Sequence, residues 1–244
     1  MQVGSPIKLW EIANGKKSRL ILALDFYEKT VICGKLDQKK KEEVFRKCVN
    51  LLERLKDLVV GVKIGFPLKF SIGMDNIAQL IESFKYNYYF IADFKLSDIP
   101  HVVEYILTAL KEYGFDAAIT QIFQGGLDEI KERKIDIFAL VMMSHPQAVL
   151  FEKNFYFLVC EALKANIEGL VVGATKENFI KEVRKIVPNK TIISPGIITQ
   201  GAKPAKALLL GSDFEIVGRA IIYSENPIES ARRIVEAERN VVYK

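Results

Sequence analysis

An aspartate, a lysine and a second aspartate lie within six residues of one another in the segment Asp93-Phe94-Lys95-Leu96-Ser97-Asp98-Ile99-Pro100. The apolar run at residues 88–92 directly before this segment predicts a buried strand. Charged side chains are rarely buried unless they are paired, and two carboxylates beside a lysine stabilise its protonated form. The spacing therefore predicts a lysine held as a proton donor at the carboxyl end of a strand. An isolated string of this type is more often a surface turn, so its meaning depends on the surrounding pattern.

Apolar segments of strand length alternate along the chain with segments of helical periodicity. Near-continuous apolar strands separated by amphipathic helices are typical of a parallel sheet that its crossover helices cover. Eight such units in 244 residues predict a (β/α)₈ TIM barrel, in one domain over residues 1–244, with residues 1–18 as an extension before the first strand. The predicted strands are 20–24, 59–64, 88–92, 116–120, 135–142, 167–172, 191–194 and 214–217. The predicted helices are 39–58, 74–84, 102–113, 153–166, 177–187, 204–210 and 227–236, with one short helix within 125–133.

Composition limits the class of protein. Half of the residues are hydrophobic and 27% are charged, as in a globular domain. No apolar run approaches the roughly 20 residues that span a bilayer, and residues 1–18 lack the apolar centre of a secretion signal, so we expect a cytoplasmic protein without a membrane partner. The three cysteines and the two histidines are scattered along the chain, so we expect neither a disulfide framework nor a metal site. The net charge of +5 favours an anionic substrate, but no basic stripe interleaved with aromatic residues indicates nucleic-acid binding.

In a barrel of this type the active site lies at the carboxyl ends of the strands. Asp25 ends the first predicted strand, Lys63 interrupts the apolar second strand, and Asp93 and Lys95 follow the third. Because these strands are neighbours, we expect the four side chains to form a row of alternating charges. Ser144 follows the fifth strand, where its hydroxyl is placed to bind a polar ring edge.

The seventh and eighth strands end in segments suited to phosphate binding. Pro195 begins a glycine-containing loop that leads through Gln200 to a helix, and the pair Gly218-Arg219 follows the eighth strand. Loops after these two strands often form a phosphate site, because glycine lets backbone N–H groups approach an anion and arginine supplies a charged fork.

These segments resemble those of the orotidine 5′-monophosphate decarboxylase family, in particular its compact archaeal members. The similarity runs over nearly the whole chain from Arg19 onward. It implies metal-free, cofactor-free decarboxylation of orotidine 5′-monophosphate (OMP) to UMP in de novo pyrimidine biosynthesis. The matching segments, in family order, are L-A-L-D at 22–25, V-K-I-G at 62–65, D-x-K-x-x-D-I at 93–99, M-S-H-P at 143–146, S-P-G at 194–196 and G-R at 218–219.

The resemblance also implies a role for each matching residue. Lys95 would protonate carbon 6 after carbon dioxide leaves, and Asp93 would lie beside the substrate carboxylate. Asp25 and Lys63 would complete the row and bind ribose hydroxyls. Further substrate contacts would come from Ser144 at the pyrimidine, Gln200 between base and phosphate on a closing loop, Arg219 at the phosphate, and the adjoining Pro195 and Gly218.

In the family the second aspartate of the motif enters the neighbouring subunit's site. The resemblance therefore implies a homodimer with two shared sites, to which Asp98 and Ile99 contribute across the interface. Two positions depart from the family pattern: Val102 stands where many relatives have threonine, and Gln121 lies in a stretch that often carries histidine. Both departures concern ribose binding at the dimer interface.

Two alternatives remain open. The first is a sugar-phosphate decarboxylase or aldolase on the same barrel, similar to enzymes that act on 3-keto-gulonate 6-phosphate. That group shares the D-x-K-x-x-D motif, uses it around magnesium, and generally has an acidic residue where this chain has Lys63. The second is a non-catalytic barrel that binds a phosphate ligand, for which we would expect members of the charged row to be lost.

Overall fold

The computed structural model describes residues 6–26, 38–130 and 133–243. Within these residues eight parallel strands pair in chain order, and the eighth pairs with the first to close a barrel. The predicted TIM barrel is confirmed. The strands are β1 (Leu20–Ala23), β2 (Gly61–Gly65), β3 (Tyr89–Leu96), β4 (Ala117–Thr120), β5 (Asp136–Met142), β6 (Gly169–Val172), β7 (Thr191–Pro195) and β8 (Phe214–Val217).

Helices return the chain between the strands, as the periodicity predicted. They are α1 (Ile7–Lys16), α2 (Gln38–Leu55), α3 (Phe66–Ile72), α4 (Met74–Phe84), α5 (Pro100–Glu112), α6 (Val149–Lys153), α7 (Phe155–Lys164), α8 (Glu177–Ile186), α9 (Lys206–Leu210), α10 (Arg219–Ile222) and α11 (Pro227–Val242). No helix of the described segments is both long enough and apolar enough to cross a membrane.

Several predicted boundaries were wrong. Helices α3, α6 and α10 were not predicted, because each is short, and α1 was not predicted, because its apolar residues show little helical periodicity. The helix predicted at 153–166 is α7. The segment 125–133 contains only the 3₁₀ turn Leu127–Glu129, and residues 131 and 132 lie outside the described residues. Residues 1–5 of the predicted extension also lie outside them.

The pleat of the strands separates two buried layers. On β3, Tyr89 and Ile91 face the barrel interior, where they pack against side chains such as Phe138 and Phe214. The alternate residues Phe90 and Ala92 belong to the larger core between the barrel and its helices. Because side chains on a strand alternate with a period of two, the next inward positions on β3 are Asp93 and Lys95. The fold thus directs both charged side chains to the barrel mouth.

Helix α1 closes the opposite, amino-terminal end of the barrel. Leu9 and Ala13 are fully buried and join the interior cluster of the barrel. The Lys8 Nζ forms a 2.8 Å ion pair with Asp116, which precedes β4. Arg239 of α11 donates hydrogen bonds to the carbonyl oxygens at the end of α1. We call this assembly of α1 and the end of α11 the barrel floor.

Candidate active site

A cavity of about 450 Å³ opens at the carboxyl ends of the strands. Residues on or directly after all eight strands line it, as expected for a TIM barrel. Nine of the eleven predicted site residues lie on its wall. They are Asp25, Lys63, Asp93, Lys95, Ser144, Pro195, Gln200, Gly218 and Arg219.

The predicted row of alternating charges is present in the structure. Lys63 Nζ lies 2.9 Å from Asp25 Oδ2 and 2.8 Å from Asp93 Oδ2, so one ammonium joins two carboxylates. Lys95 Nζ donates to Asp93 Oδ1 at 2.8 Å. The four side chains form a continuous chain of ion pairs in the order Asp25, Lys63, Asp93, Lys95.

Burial and ion pairing shift the pKa values of the charged row in opposite directions. Burial raises the pKa of Asp93, but the ammonium groups of Lys63 and Lys95 outweigh it and hold that pKa at about 2. Burial likewise lowers the pKa of Lys63, yet the carboxylates of Asp93 and Asp25 raise it above its usual value. Both groups are therefore charged at neutral pH. Lys95 is the accessible end of the row, because 40% of its side chain is exposed against 8% for Lys63.

Lys95 has an unusual backbone conformation for a residue in a strand. Its φ angle is +44°, and the pairing of β3 with β4 shifts register between Ala92 and Leu96. Left-handed backbone at a residue other than glycine costs free energy, and such positions cluster at functional sites. The strand also continues through Leu96, so the prediction that it ends at Ala92 was wrong. Asp93 and Lys95 lie within β3 because their ion pair satisfies charges that would otherwise be costly there.

A backbone amide fixes Asp25, the first residue of the row. The Gly65 N–H donates to Asp25 Oδ1 at 2.8 Å, at the start of α3. A Cβ atom on Gly65 would lie only 2.8 Å from the same oxygen. The absence of a side chain at Gly65 therefore lets the carboxylate approach and keeps it oriented toward Lys63.

The cavity wall after β5, β7 and β8 carries polar side chains that do not belong to the charged row. Gln200 and Arg219 are exposed, and neither side chain has a hydrogen-bond or ion-pair partner among the described residues. Ser144 lies close to β6 and β7, since a Cβ atom on Gly173 would lie 2.5 Å from its Cα and one on Gly196 would lie 3.1 Å from its Cβ. Within the described part of the chain, the cavity therefore pairs the charges of β1, β2 and β3 and leaves a cation after β8 and an amide after β7 without a partner.

Asp98 and Ile99 do not line the cavity. Both are exposed, with 56% of Ile99 accessible, and Asp98 Oδ1 accepts a hydrogen bond from the Ile99 amide. They lie in the loop between β3 and α5, beyond the end of the charged row. Their predicted contribution to a partner's site stays a prediction.

Sequence reasoning missed part of the cavity wall. Thr199 lies beside Gln200, and the apolar bottom of the cavity comes from inward positions on four strands. Strand alternation was a usable signal for Val171 and Ile216, which lie two residues before Gly173 and Gly218. It fails at Leu140, because the register of β5 shifts between Leu140 and Met142. The missed apolar residues at the bottom are Ile119, Leu140, Val171 and Ile216, and those elsewhere on the wall are Ala23, Met143, Ile197 and Ile222.

The fold and the cavity together define a (β/α)₈-barrel enzyme whose polar groups gather at the carboxyl ends of its strands. The family model for the orotidine 5′-phosphate decarboxylase / HUMPS family matches residues 18–234. The chain belongs to this family. Among the described residues, no group of three or more His, Cys, Asp or Glu side chains is placed to hold a metal ion.

Individual relatives agree with the family match. The chain is 36% identical over 234 residues to the orotidine 5′-phosphate decarboxylase of Methanosarcina barkeri, covering 91% of this chain and 97% of that one. The crystal structure of the enzyme from Metallosphaera sedula is similar with a TM-score of 0.76 and 31% identity, covering 92% and 100%. The Methanocaldococcus jannaschii enzyme, crystallised with the inhibitor BMP, has a TM-score of 0.74 and 28% identity, covering 90% and 98%.

Proposed function

We propose that this protein decarboxylates OMP to UMP in pyrimidine biosynthesis, acting in the cytoplasm. The observation that carries the proposal is the continuous row Asp25, Lys63, Asp93, Lys95 in a barrel mouth that also holds Arg219, which has no ion pair with a described residue. The relatives named orotidine 5′-phosphate decarboxylase, at up to 36% identity over most of the chain, support it.

The reaction requires a site that stabilises a carbanion. The bond from carbon 6 to the carboxyl group breaks, its electron pair stays on carbon 6, and carbon dioxide leaves. Lys95 is the accessible ammonium of the row, so we assign to it the stabilisation of that charge and the transfer of one Nζ proton to carbon 6. Preorganised charges act strongly in a cavity shielded from water. Asp93 keeps Lys95 oriented and lies beside the leaving carboxylate.

The rest of the cavity wall suits the remainder of the nucleotide. Arg219 has no ion-pair partner among the described residues, and a guanidinium binds a phosphate dianion through two parallel hydrogen bonds. We assign the phosphate to Arg219 and Gly218, the pyrimidine to Ser144, and the region between them to Pro195 and Gln200. Asp25 and Lys63 are placed to bind the ribose hydroxyls. Binding free energy from the phosphate then orders the site around the reacting carbon.

We further propose a homodimer with two shared sites. Exposed apolar side chains follow the carboxyl ends of three neighbouring strands: Phe66 and Phe70 after β2, Ile99 after β3 and Phe123 after β4. The Phe66 and Phe70 rings stack with centroids 5.9 Å apart. Exposed apolar side chains on neighbouring loops are typical of an interface. Burying it against a second copy would carry Asp98 and Ile99 toward the partner's cavity.

The position of Lys63 argues against the sugar-phosphate alternative. Its ammonium lies between Asp25 and Asp93, at 2.9 and 2.8 Å, and supplies the positive charge that joins these carboxylates. A non-catalytic barrel is disfavoured because all four members of the row are present and paired.

The decisive experiment follows OMP decarboxylation by ultraviolet absorbance in the presence of a chelator. The wild-type protein should turn over OMP, and Lys95→Ala should lose nearly all turnover, because general acid catalysis contributes at least about 100-fold. Lys56→Ala is the matched control, since the Lys56 side chain is 44% exposed, close to the 40% of Lys95, and is paired with Glu53 directly after α2. A Lys95→Ala variant that keeps more than about a tenth of the activity would contradict the acid assignment. Activity that appears only with magnesium would favour the sugar-phosphate alternative.

A further inference from the structure

The carboxylate of Glu215 is fully buried in the middle of β8. Its neighbours Phe214 and Ile216 face the barrel interior, so Glu215 faces the layer between the barrel and its helices. Glu215 Oε2 accepts a hydrogen bond from the Ala205 amide at 2.8 Å, and Oε1 accepts one from the Ala207 amide at 3.1 Å. A carboxylate in an otherwise apolar strand is costly unless it is bonded in this way.

The two amides belong to the start of α9, where the loop after β7 ends. Residues 198–201 and 203 of that loop are exposed, and they include Gln200 on the cavity wall. The loop becomes buried at Ala205, which is 4% exposed and has a φ angle of +62°. Ala205 is therefore held in a left-handed conformation that alanine rarely adopts, and the hydrogen bond to Glu215 is the contact that fixes its amide.

The loop is also fixed near its beginning, by a hydrogen bond from the Ile198 amide to the Ala202 carbonyl at 2.7 Å. This contact joins two parts of the loop to each other and does not attach it to the barrel. Glu215 attaches the far end of the loop to β8. The same strand leads within four residues to Gly218 and Arg219, which form the other half of the assigned phosphate site.

We propose that Glu215 is a positioning residue for the phosphate site, whose carboxylate anchors the start of α9 to β8 and thereby sets Gln200 relative to Arg219. The inference rests on the proposed function, because it concerns how this site binds its phosphorylated substrate. It assigns Glu215 no contact with the substrate and no part in the chemical step. Substitution of Glu215 should therefore weaken substrate binding and leave the charged row unaltered.

The test is steady-state kinetics of Glu215→Leu and Glu215→Gln with OMP. Leucine removes both acceptors, and we expect KM to rise about tenfold while kcat stays within about twofold, the effect of losing two hydrogen bonds at a remote site. Glutamine keeps one acceptor oxygen, so we expect a smaller rise in KM, of about threefold. Glu238→Leu and Glu238→Gln are the controls for a buried carboxyl, because Glu238 is also fully buried and also accepts a backbone amide, from Arg19. They remove a charge that acts on Glu215 but keep both of its hydrogen bonds. These controls should leave KM unchanged.

A second measurement is independent of activity. Amide hydrogen exchange should be faster at Ala205 and Ala207 in both Glu215 variants than in the wild-type protein, and unchanged at these amides in the Glu238 variants. If Glu215→Leu does not fold, Glu215→Gln supplies both readouts. An unchanged KM in the folded Glu215 variants, or an equal rise in the Glu238 variants, would overturn the inference. Absence of OMP turnover by the wild-type protein would instead overturn the proposed function, and the exchange data would still report on the anchor.

Discussion

The Gly65 amide and the Asp25 carboxylate are in direct contact, with the N–H donating to Oδ1 at 2.8 Å. This contact fixes Asp25 at one end of the charged row and depends on the small size of glycine. Since Asp25 in turn holds Lys63, the geometry of the row begins with a backbone group on β2.

Gly65→Ala tests this relationship. The new Cβ would meet Asp25 Oδ1 at 2.8 Å, so we expect the carboxylate to move and OMP turnover to fall at least about tenfold, since small displacements of catalytic groups cost up to about 100-fold. Enzyme kinetics and thermal unfolding together provide the measurement. Gly15→Ala in α1 is the control, because no atom lies within 4 Å of its new Cβ and helical alanine is more stable than glycine by about 0.5–1 kcal/mol. Wild-type turnover in Gly65→Ala would show that Asp25 does not need this contact.

Arg219→Ala should weaken substrate capture. We expect kcat/KM for OMP to fall between about tenfold and several hundredfold, since hydrogen bonds between charged groups contribute about 1.5–3 kcal/mol each. The charged row should stay intact, because Arg219 has no ion pair with a described residue. Arg233→Ala, at an exposed arginine paired with Glu229 on α11, is the control for loss of a positive charge. An unchanged kcat/KM would remove Arg219 from the phosphate site.

The shared-site dimer predicts complementation between inactive variants. Lys95→Ala and Asp98→Ala chains, unfolded and refolded as an equal mixture, should recover about a quarter of the wild-type activity, because each mixed dimer contains one intact site. A mixture of Lys95→Ala and Asp93→Ala should recover none, since both changes lie in the same chain's row. Activity assays with sedimentation analysis provide the readout. An Asp98→Ala protein with full activity would contradict the proposed contribution across the interface.

Glu215 should also affect the pH dependence of stability. Burial raises the pKa of its carboxyl from 4.5 to about 7, although amides of α9 oppose the shift. Between these values the unfolded chain has lost the proton that the folded protein keeps, so stability falls as pH rises from 4.5 to 7. This contribution has a slope of up to about 1.4 kcal/mol per pH unit. Glu215→Gln cannot titrate, and its free energy of unfolding should vary less over this range in denaturant titrations. Equal slopes in both proteins would assign the dependence to other groups.

The sequence was sufficient to predict the barrel and most of the polar side chains on the cavity wall, but not its apolar residues. Strand order and the rule that active sites lie at the carboxyl ends of the strands brought Asp25, Lys63, Asp93 and Lys95 together. The pairing distances could not be predicted, because they depend on the register shift near Lys95 and on the Gly65 amide, which are properties of the assembled sheet.

Glu215 was missed although a signal was present. A charged residue interrupts the apolar strand Phe214–Val217, just as Lys63 interrupts β2, and the same reasoning on burial costs applies to both. Its partners could not be inferred, because they are backbone amides ten and eight residues earlier in the chain. Helix α3 was missed for a simpler reason, since its seven residues are too few to show a period, although Pro67 marks its start.

The barrel floor has a consequence for the order in which the protein folds. The Arg19 amide and Glu238 are 219 residues apart in sequence, and Arg239 reaches Lys17 over 222 residues. Contacts of such long range close large loops, whose entropic cost opposes their early formation and slows folding. The floor therefore joins the first helix of the described chain to the last, and we expect it to form only late in synthesis, after β8 has emerged and paired with β1.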